Sequence, residues 1–421
     1  MNHSCHSHTD MGFEVDLKQA LIWVARALDY VGVDDTHHSH RVAYIAYQCA
    51  RVMNWEPEKA EFCYFAGMIH DCGVSETQEH KMLLEELVPQ DVKTHCLRGY
   101  RSLKQCRLLR QFATPVLYHH THWSELKYLD LPPFEKEVAA LLYLADRLDF
   151  MRSKYVMNCH CDIVTLHEEL IAECIMANAG TLFNPDMAKA MVKLVMTDAF
   201  WFAMESENIE TIGLNFKSID WLQKQLTIQD MNSLGMFIAR IVDAKSPFTY
   251  QHSQKVAELS RYLAIKLGFC EHDQEMLFIA GLVHDIGKLK TPDEILHKEG
   301  SLNKQEYTRI KRHTIDTQLA LHKVFPNAKI AEWASNHHER LDGSGYPYHK
   351  TGDELDVPSR IVAVADVFQA LSQDRPYRGR MAQAQIAAIM GAQVAKQELC
   401  PDVYAVLERN MTECYKLSTN V

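Results

Sequence analysis

Ala280-Gly281-Leu282-Val283-His284-Asp285, with its upstream counterpart Ala66-Gly67-Met68-Ile69-His70-Asp71, is the stretch that decides how this chain folds. Each closes an apolar run on an adjacent His-Asp pair. Working outward, a histidine stands 32 residues before each pair: His38 in His38-Ser39-His40-Arg41-Val42-Ala43, and His252 in His252-Ser253-Gln254-Lys255-Val256-Ala257. Downstream, His95 and His313 each precede a His-His doublet, His119-His120 and His337-His338, by 24 residues. Leu144-Ala145-Asp146 then matches Val364-Ala365-Asp366. The same order at nearly equal spacing marks a duplicated domain.

The repeated units read as helical. Ile361, Val364, Ala365 and Phe368 recur at steps of three and four, and strand-like alternation is hard to find. Glycine and proline gather in Asp342-Gly343-Ser344-Gly345-Tyr346-Pro347, which must be a loop. The Ala-, Met-, Leu- and Lys-rich run from Arg152 to Glu205 suggests long helices, and Ser206 to Met231 holds the connection. The expectation is an all-α protein of two tandem helical domains, residues 13–215 and 225–421.

Bulk composition excludes several functions. Of 421 residues, 47% are apolar and 24% charged, ordinary for a soluble globular chain. With 44 basic and 55 acidic residues the net charge is −11, which disfavours long nucleic acid as a partner. No run approaches the length of a membrane span, and the N-terminus lacks the apolar core of a signal peptide, so the reading is cytosolic. Reduced thiols are expected for the twelve cysteines, nine of them in the first 174 residues without a CxxC pair. The sequence leaves a homodimer open.

The repeated residues point to metal. Asp366 lies in an apolar helix, where a carboxylate is costly unless a cation or good donors satisfy it. Each histidine alone reads more simply as a satisfied core residue; the whole constellation, twice over, does not. Imidazole and carboxylate donors without thiolate favour Mn, Fe, Co or Zn over a cysteine-type structural zinc site. In an adjacent His-Asp pair the imidazole can bind one ion while the carboxylate bridges to a second. Two such ions would hold a shared hydroxide in line with a phosphorus atom, with no Ser or Cys nucleophile needed.

Taken together, His252, His284-Asp285-Ile286-Gly287-Lys288, His313, His337-His338-Glu339, Gly343-Ser344-Gly345-Tyr346-Pro347, Asp366 and Asp374-Arg375-Pro376-Tyr377-Arg378 resemble the full HD-GYP signature over about 165 residues. The resemblance implies an all-helical second domain that cleaves bacterial cyclic dinucleotides. It implies His252, His284, Asp285, His313, His337, His338 and Asp366 as metal ligands, and Lys288 beside the scissile phosphate. By the same resemblance Arg375 and Arg378 contact phosphate, and Tyr346 and Gly343 belong to a loop that walls the substrate. Family members with three metals carry an acidic residue four positions before the first histidine; Phe248 stands there, so two divalent ions are expected, Fe or Mn first, with Zn, Co or Ni as alternatives.

The first copy keeps His38, His70, Asp71, His95, His119, His120 and Asp146, but Val74 replaces the lysine, Tyr155 falls where Arg375 stands, and the glycine loop is missing. It reads as a degenerate HD domain without the groups that grip a phosphodiester. An incomplete HD copy ahead of an HD-GYP copy resembles the layout of Vibrio phosphodiesterases acting on 3′3′-cyclic GMP-AMP. The expected activity is opening of that messenger, cyclic di-GMP or both to the linear dinucleotide. A general HD nucleotidase and a non-hydrolysing dinucleotide sensor are the alternatives.

Overall fold

The computed structural model describes residues 17–29, 37–83, 86–90, 92–156, 161–219, 226–245, 251–325, 329–374 and 379–419. Phe248, Arg375 and Arg378 lie outside them. Among the described residues every regular element is a helix, and the only β pairings are isolated bridges, Ala179 with Phe183 and Asp342 with Thr351. The chain divides into two compact units, Asp16–Lys224 and Gln225–Val421. No helix of the described residues is long and apolar enough to cross a membrane.

Each unit is organised by the same helix pair. In the first, His38–Val52 packs on Pro57–Ile69; in the second, His252–Lys266 packs on Glu271–Val283. Short connections make both pairs antiparallel. Contact is close because a glycine meets an alanine at the crossing: a Cβ on Gly67 would lie 2.6 Å from the Ala43 Cα, and one on Gly281 2.6 Å from the Ala257 Cα. Backbones that approach so nearly exclude any larger residue. The antiparallel arrangement sets the first residue of one helix beside the residue that ends the other. His38 and His70 thus come to 5.3 Å between ring centroids, and His252 and His284 to 5.2 Å.

Around each pair the apolar stripes of neighbouring helices close a core. Ile361, Val364, Ala365 and Phe368, spaced for one face of helix Val357–Ser372, are all buried. Their counterparts in the 24-residue helix Pro133–Val156 include Leu141, Leu144, Ala145 and Leu148, also buried. These two helices carry Asp366 and Asp146 inward.

The stretch from Arg152 to Glu205 is not a run of long helices. The long helix ends at Val156, and short ones follow, Glu168–Ala177, Pro185–Val195 and Asp198–Phe202. Local chemistry breaks the run. Gly180 adopts φ 86°, and the Asn184 side chain accepts from the backbone of Asp186 and Met187 to start a new helix at Pro185.

Candidate metal centre

In the second unit the His-Asp pair closes helix Glu271–Val283 and leads into the 3-10 turn Ile286–Lys290. That turn presses against the segment bearing His313. A Cβ on Gly287 would stand 1.9 Å from the His313 carbonyl oxygen, so only glycine permits the approach. His313 opens helix His313–Val324, His337-His338 follow helix Ile330–Ser335, and Asp366 comes from Val357–Ser372.

Asp285 is the hub. Its Oδ2 faces His252 Nε2 at 3.6 Å and His284 Nε2 at 3.3 Å; its Oδ1 faces His313 Nε2 at 3.5 Å and His337 Nε2 at 3.7 Å. Asp366 Oδ1 lies 3.3 Å from His252 Nε2 and 3.9 Å from His284 Nε2. Donor atoms of His252, His284 and Asp366 all fall within 4.8 Å of one another, as do those of His313, His337 and His338. Two clusters of donor atoms therefore face one carboxylate. All seven residues expected as ligands are brought together.

The imidazoles are oriented for coordination. Nδ1 of His284, His313 and His337 donates to the carbonyl three residues back, Gly281, Ile310 and Ala334, at 2.8, 2.5 and 2.6 Å. A carbonyl can only accept, so Nδ1 carries a proton in each ring and Nε2 is turned toward Asp285. Burial pushes His313 down to about 4 and His337 down to about 3, and burial with the neighbouring His337 holds His338 well below the usual imidazole range. These rings are neutral ligands at neutral pH. For Asp285 burial works against the charge, but His284 and Lys288 overcome it and hold the carboxyl well below its ordinary range.

The residues fit a cation. Asp285 Oδ1 is buried with no hydrogen bond of acceptable geometry, a costly state for a carboxylate oxygen unless an ion completes it. Lys288 Nζ sits 2.5 Å from Asp285 Oδ2, with its side chain a quarter exposed. Tyr346 lies beside the histidine doublet, its ring 4.8 Å from that of His338 and 6.4 Å from that of His313. Gly343 supplies a turn at φ 77°; its nearest neighbours, His349 and Thr351, belong to the same loop, so it is not drawn to the ligands.

Two supporting residues escaped the sequence reading. Gln369 Oε1 accepts from His252 Nδ1 at 2.5 Å, fixing that ring as the carbonyls fix the others. Asp149 takes the matching place in the first unit, accepting from His38 Nδ1 at 2.8 Å, so a polar residue three positions after each helix aspartate was the available signal. Glu339, buried, accepts from the backbone of Tyr348 at 2.7 Å and of Lys350 at 3.0 Å, tying the tyrosine loop to the doublet.

The first unit repeats the arrangement with altered surroundings. Asp71 Oδ2 faces His70 at 3.4 Å and His38 at 3.9 Å, while Oδ1 faces His95 at 3.6 Å and His119 at 3.3 Å. Val74 is buried where Lys288 stands, and Tyr155 stacks on His167 at 4.2 Å. Arg147, fully buried, donates Nε and Nη2 to Asp146 Oδ2 and Nη1 to the carbonyls of Leu83 and Glu86.

Comparison with known proteins agrees with this duplication. A family model described as "HD domain" matches residues 237–402, and another of that description matches residues 36–151. The chain is similar to 3′3′-cGAMP-specific phosphodiesterase 1 of Vibrio cholerae, 45% identical over 96% of this chain and 94% of the relative. It is also similar to 3′3′-cGAMP-specific phosphodiesterase 3 of that organism, 30% identical over 76% of this chain and 67% of the relative. Its fold matches the crystal structure of a cyclic GMP-AMP-specific phosphodiesterase of V. cholerae with TM-score 0.62 at 23% identity, covering 94% of this chain and 97% of the other. With the paired ligand sets in place and those relatives spanning both units, the chain belongs to the HD-GYP family of metal-dependent cyclic-dinucleotide phosphodiesterases.

Proposed function

We propose that the second unit opens 3′3′-cyclic GMP-AMP to its linear dinucleotide at a centre of two divalent transition-metal ions. The observation that carries this reading is the Asp285 carboxylate, each oxygen turned to a different pair of imidazoles. His252, His284 and Asp366 would hold one ion, His313, His337 and His338 the other, with Asp285 shared. Nitrogen and oxygen donors alone favour Mn or Fe and accommodate Zn, Co or Ni. When bound, such ions supply the Lewis acidity that makes water an effective nucleophile at neutral pH.

The chain's own groups do the rest. Lys288, anchored on Asp285 yet a quarter exposed, places an ammonium at the rim, where it steadies charge developing on the phosphate or gives a proton to the leaving oxygen. Tyr346 walls the edge over His338. Arg375 and Arg378 are assigned to the phosphates by their place in the signature, as charge-assisted donors.

Preference for 3′3′-cyclic GMP-AMP is drawn from the 45% identical relative of that name and from the shared order of the two domains. Metal and lysine meet only phosphate, so the base must be read by the pocket walls, where an unmatched purine edge leaves polar groups unpaired. Side-by-side kcat/KM values on the Mn- or Fe-loaded protein test the reading. Parity or a preference for 3′3′-cyclic GMP-AMP supports it; a preference of about tenfold for cyclic di-GMP, roughly 1.4 kcal/mol at the transition state, sinks it.

A further inference from the structure

The degenerate unit lacks the lysine and the glycine loop, yet its interior still gathers the same imidazole and carboxylate side chains. Donor atoms of Asp71, His95, His119 and His120 lie within 4.8 Å of one another, and those of His38, His70 and Asp146 form a second such group. All seven residues are buried. Asp71 Oδ1, His70 Nε2, His119 Nε2 and both ring nitrogens of His120 make no hydrogen bond of acceptable geometry. So many unsatisfied polar atoms converging in a buried interior are unfavourable by several kcal/mol unless a cation completes them, at roughly 1–3 kcal/mol each.

The surrounding groups are set for the same purpose. His70 Nδ1 donates to the Gly67 carbonyl at 2.8 Å and His119 Nδ1 to the Val116 carbonyl at 2.6 Å, which turns each Nε2 toward Asp71. His38 Nδ1 donates to Asp149, itself gripped by Arg41 Nε at 2.6 Å and Arg152 Nε at 2.8 Å. A carboxylate behind an imidazole raises the ligand's basicity and fixes its ring. Arg147 occupies only Oδ2 of Asp146, and Oδ1 stays beside His38 Nε2 at 3.3 Å.

A cavity of about 360 Å³ opens on His120, lined also by Gln90, Lys93, Thr94, His122 and Tyr143. That volume suits a small ligand. Among the described residues its lining includes no Asp or Glu, and does include Gln90, Lys93, Thr94 and Tyr143.

We propose that the N-terminal unit holds its own pair of divalent transition-metal ions around Asp71, and that this cavity gives a small oxyanion access to them. The ions have the same imidazole and carboxylate donors as in the second unit. The anion would meet metal on one side and Lys93 on the other. Arg147 is locked against backbone carbonyls and Val74 stands where Lys288 does, so the site differs in kind from the hydrolytic centre. This inference stands on the first unit's own residues, whichever messenger the second unit cleaves.

The test uses the full chain with Asp285→Ala and Asp366→Ala, which strip the second centre of its carboxylates. After chelation and reloading with Mn(II), this protein is expected to keep about two equivalents of metal, falling below about half an equivalent when Asp71→Ala is added. Calorimetric titration with inorganic phosphate should show binding at least about tenfold tighter with Mn(II) than without it. Less than half an equivalent before Asp71 is touched, with helical circular dichroism intact, overturns the second centre. Equal phosphate affinity with and without Mn(II) overturns the access. If the doubly substituted protein does not fold, metal counts on wild type, Asp71→Ala and His120→Gln decide the question: loss of about half the total supports the site, and no loss overturns it.

Discussion

Lys288 Nζ lies 2.5 Å from Asp285 Oδ2, the oxygen that also faces His252 and His284. One lysine thus holds the shared carboxylate while its partly exposed head reaches the rim. Lys288→Met should keep the metal and lower kcat by about 10²–10³, the range for loss of one group that stabilises developing charge. Elemental analysis beside steady-state kinetics checks this; unchanged kcat returns Lys288 to a structural role.

Asp285→Ala removes the only carboxylate common to both ligand sets. Turnover should fall by more than about a thousandfold, with at least one ion lost and the helical circular dichroism retained. Because the first unit keeps its own Asp71, this variant also asks where hydrolysis takes place. Near wild-type turnover would place the reaction outside the second unit.

Glu339 holds two backbone amides of the tyrosine loop. Glu339→Ala leaves Tyr348 and Lys350 without that acceptor, a loss of about 1–3 kcal/mol. The expected outcome is a raised KM, from a loop that no longer keeps Tyr346 over His338, with metal content unchanged. An unaltered KM would mean that the loop is held without Glu339.

Arg375→Ala should weaken substrate binding about tenfold, or roughly 1.4 kcal/mol, and leave the metal in place. KM measured against metal content is the check. Identical kinetics would assign Arg375 to surface salt bridging.

Glu210 of the first unit belongs to neither His-Asp cluster. Burial favours its neutral form, but hydrogen bonds from His40 and Arg26 outweigh that and bring it down to about 2. A carboxyl lower in the folded than in the unfolded state adds stability that is full above its unfolded value, near 4.3. That stability fades as pH falls through the folded value. The stability gap between wild type and Glu210→Gln should therefore be largest above about pH 5 and shrink toward pH 2. Thermal melts of both proteins across that range check it; a gap that widens on acidification refutes it.

The duplication, the helical class and the seven side chains that converge around Asp285 were legible from residues alone. The reason is geometric: the antiparallel helix pair fixes the distance from His252 to His284, and the same pair fixes that from His38 to His70, so spacing survives as a signature. The close glycine contacts that permit the pairing leave their mark in Ala-Gly before each apolar run. Breaks in the stretch after Arg152 were less legible, because its composition favours helix while Gly180 and Asn184 interrupt it locally.

What the sequence by itself determined, then, was which side chains converge and that they converge twice. Only the tertiary structure decided how they divide: which oxygen of Asp285 faces which imidazoles, that Gln369 and Asp149 steady the leading histidines, and that Arg147 is held by backbone carbonyls while Lys288 is held by Asp285. The contacts of Arg147, Gln369 and Asp149 join residues from about 60 to more than 110 positions apart, and all of these relations depend on rotamer and burial, which no spacing along the chain encodes.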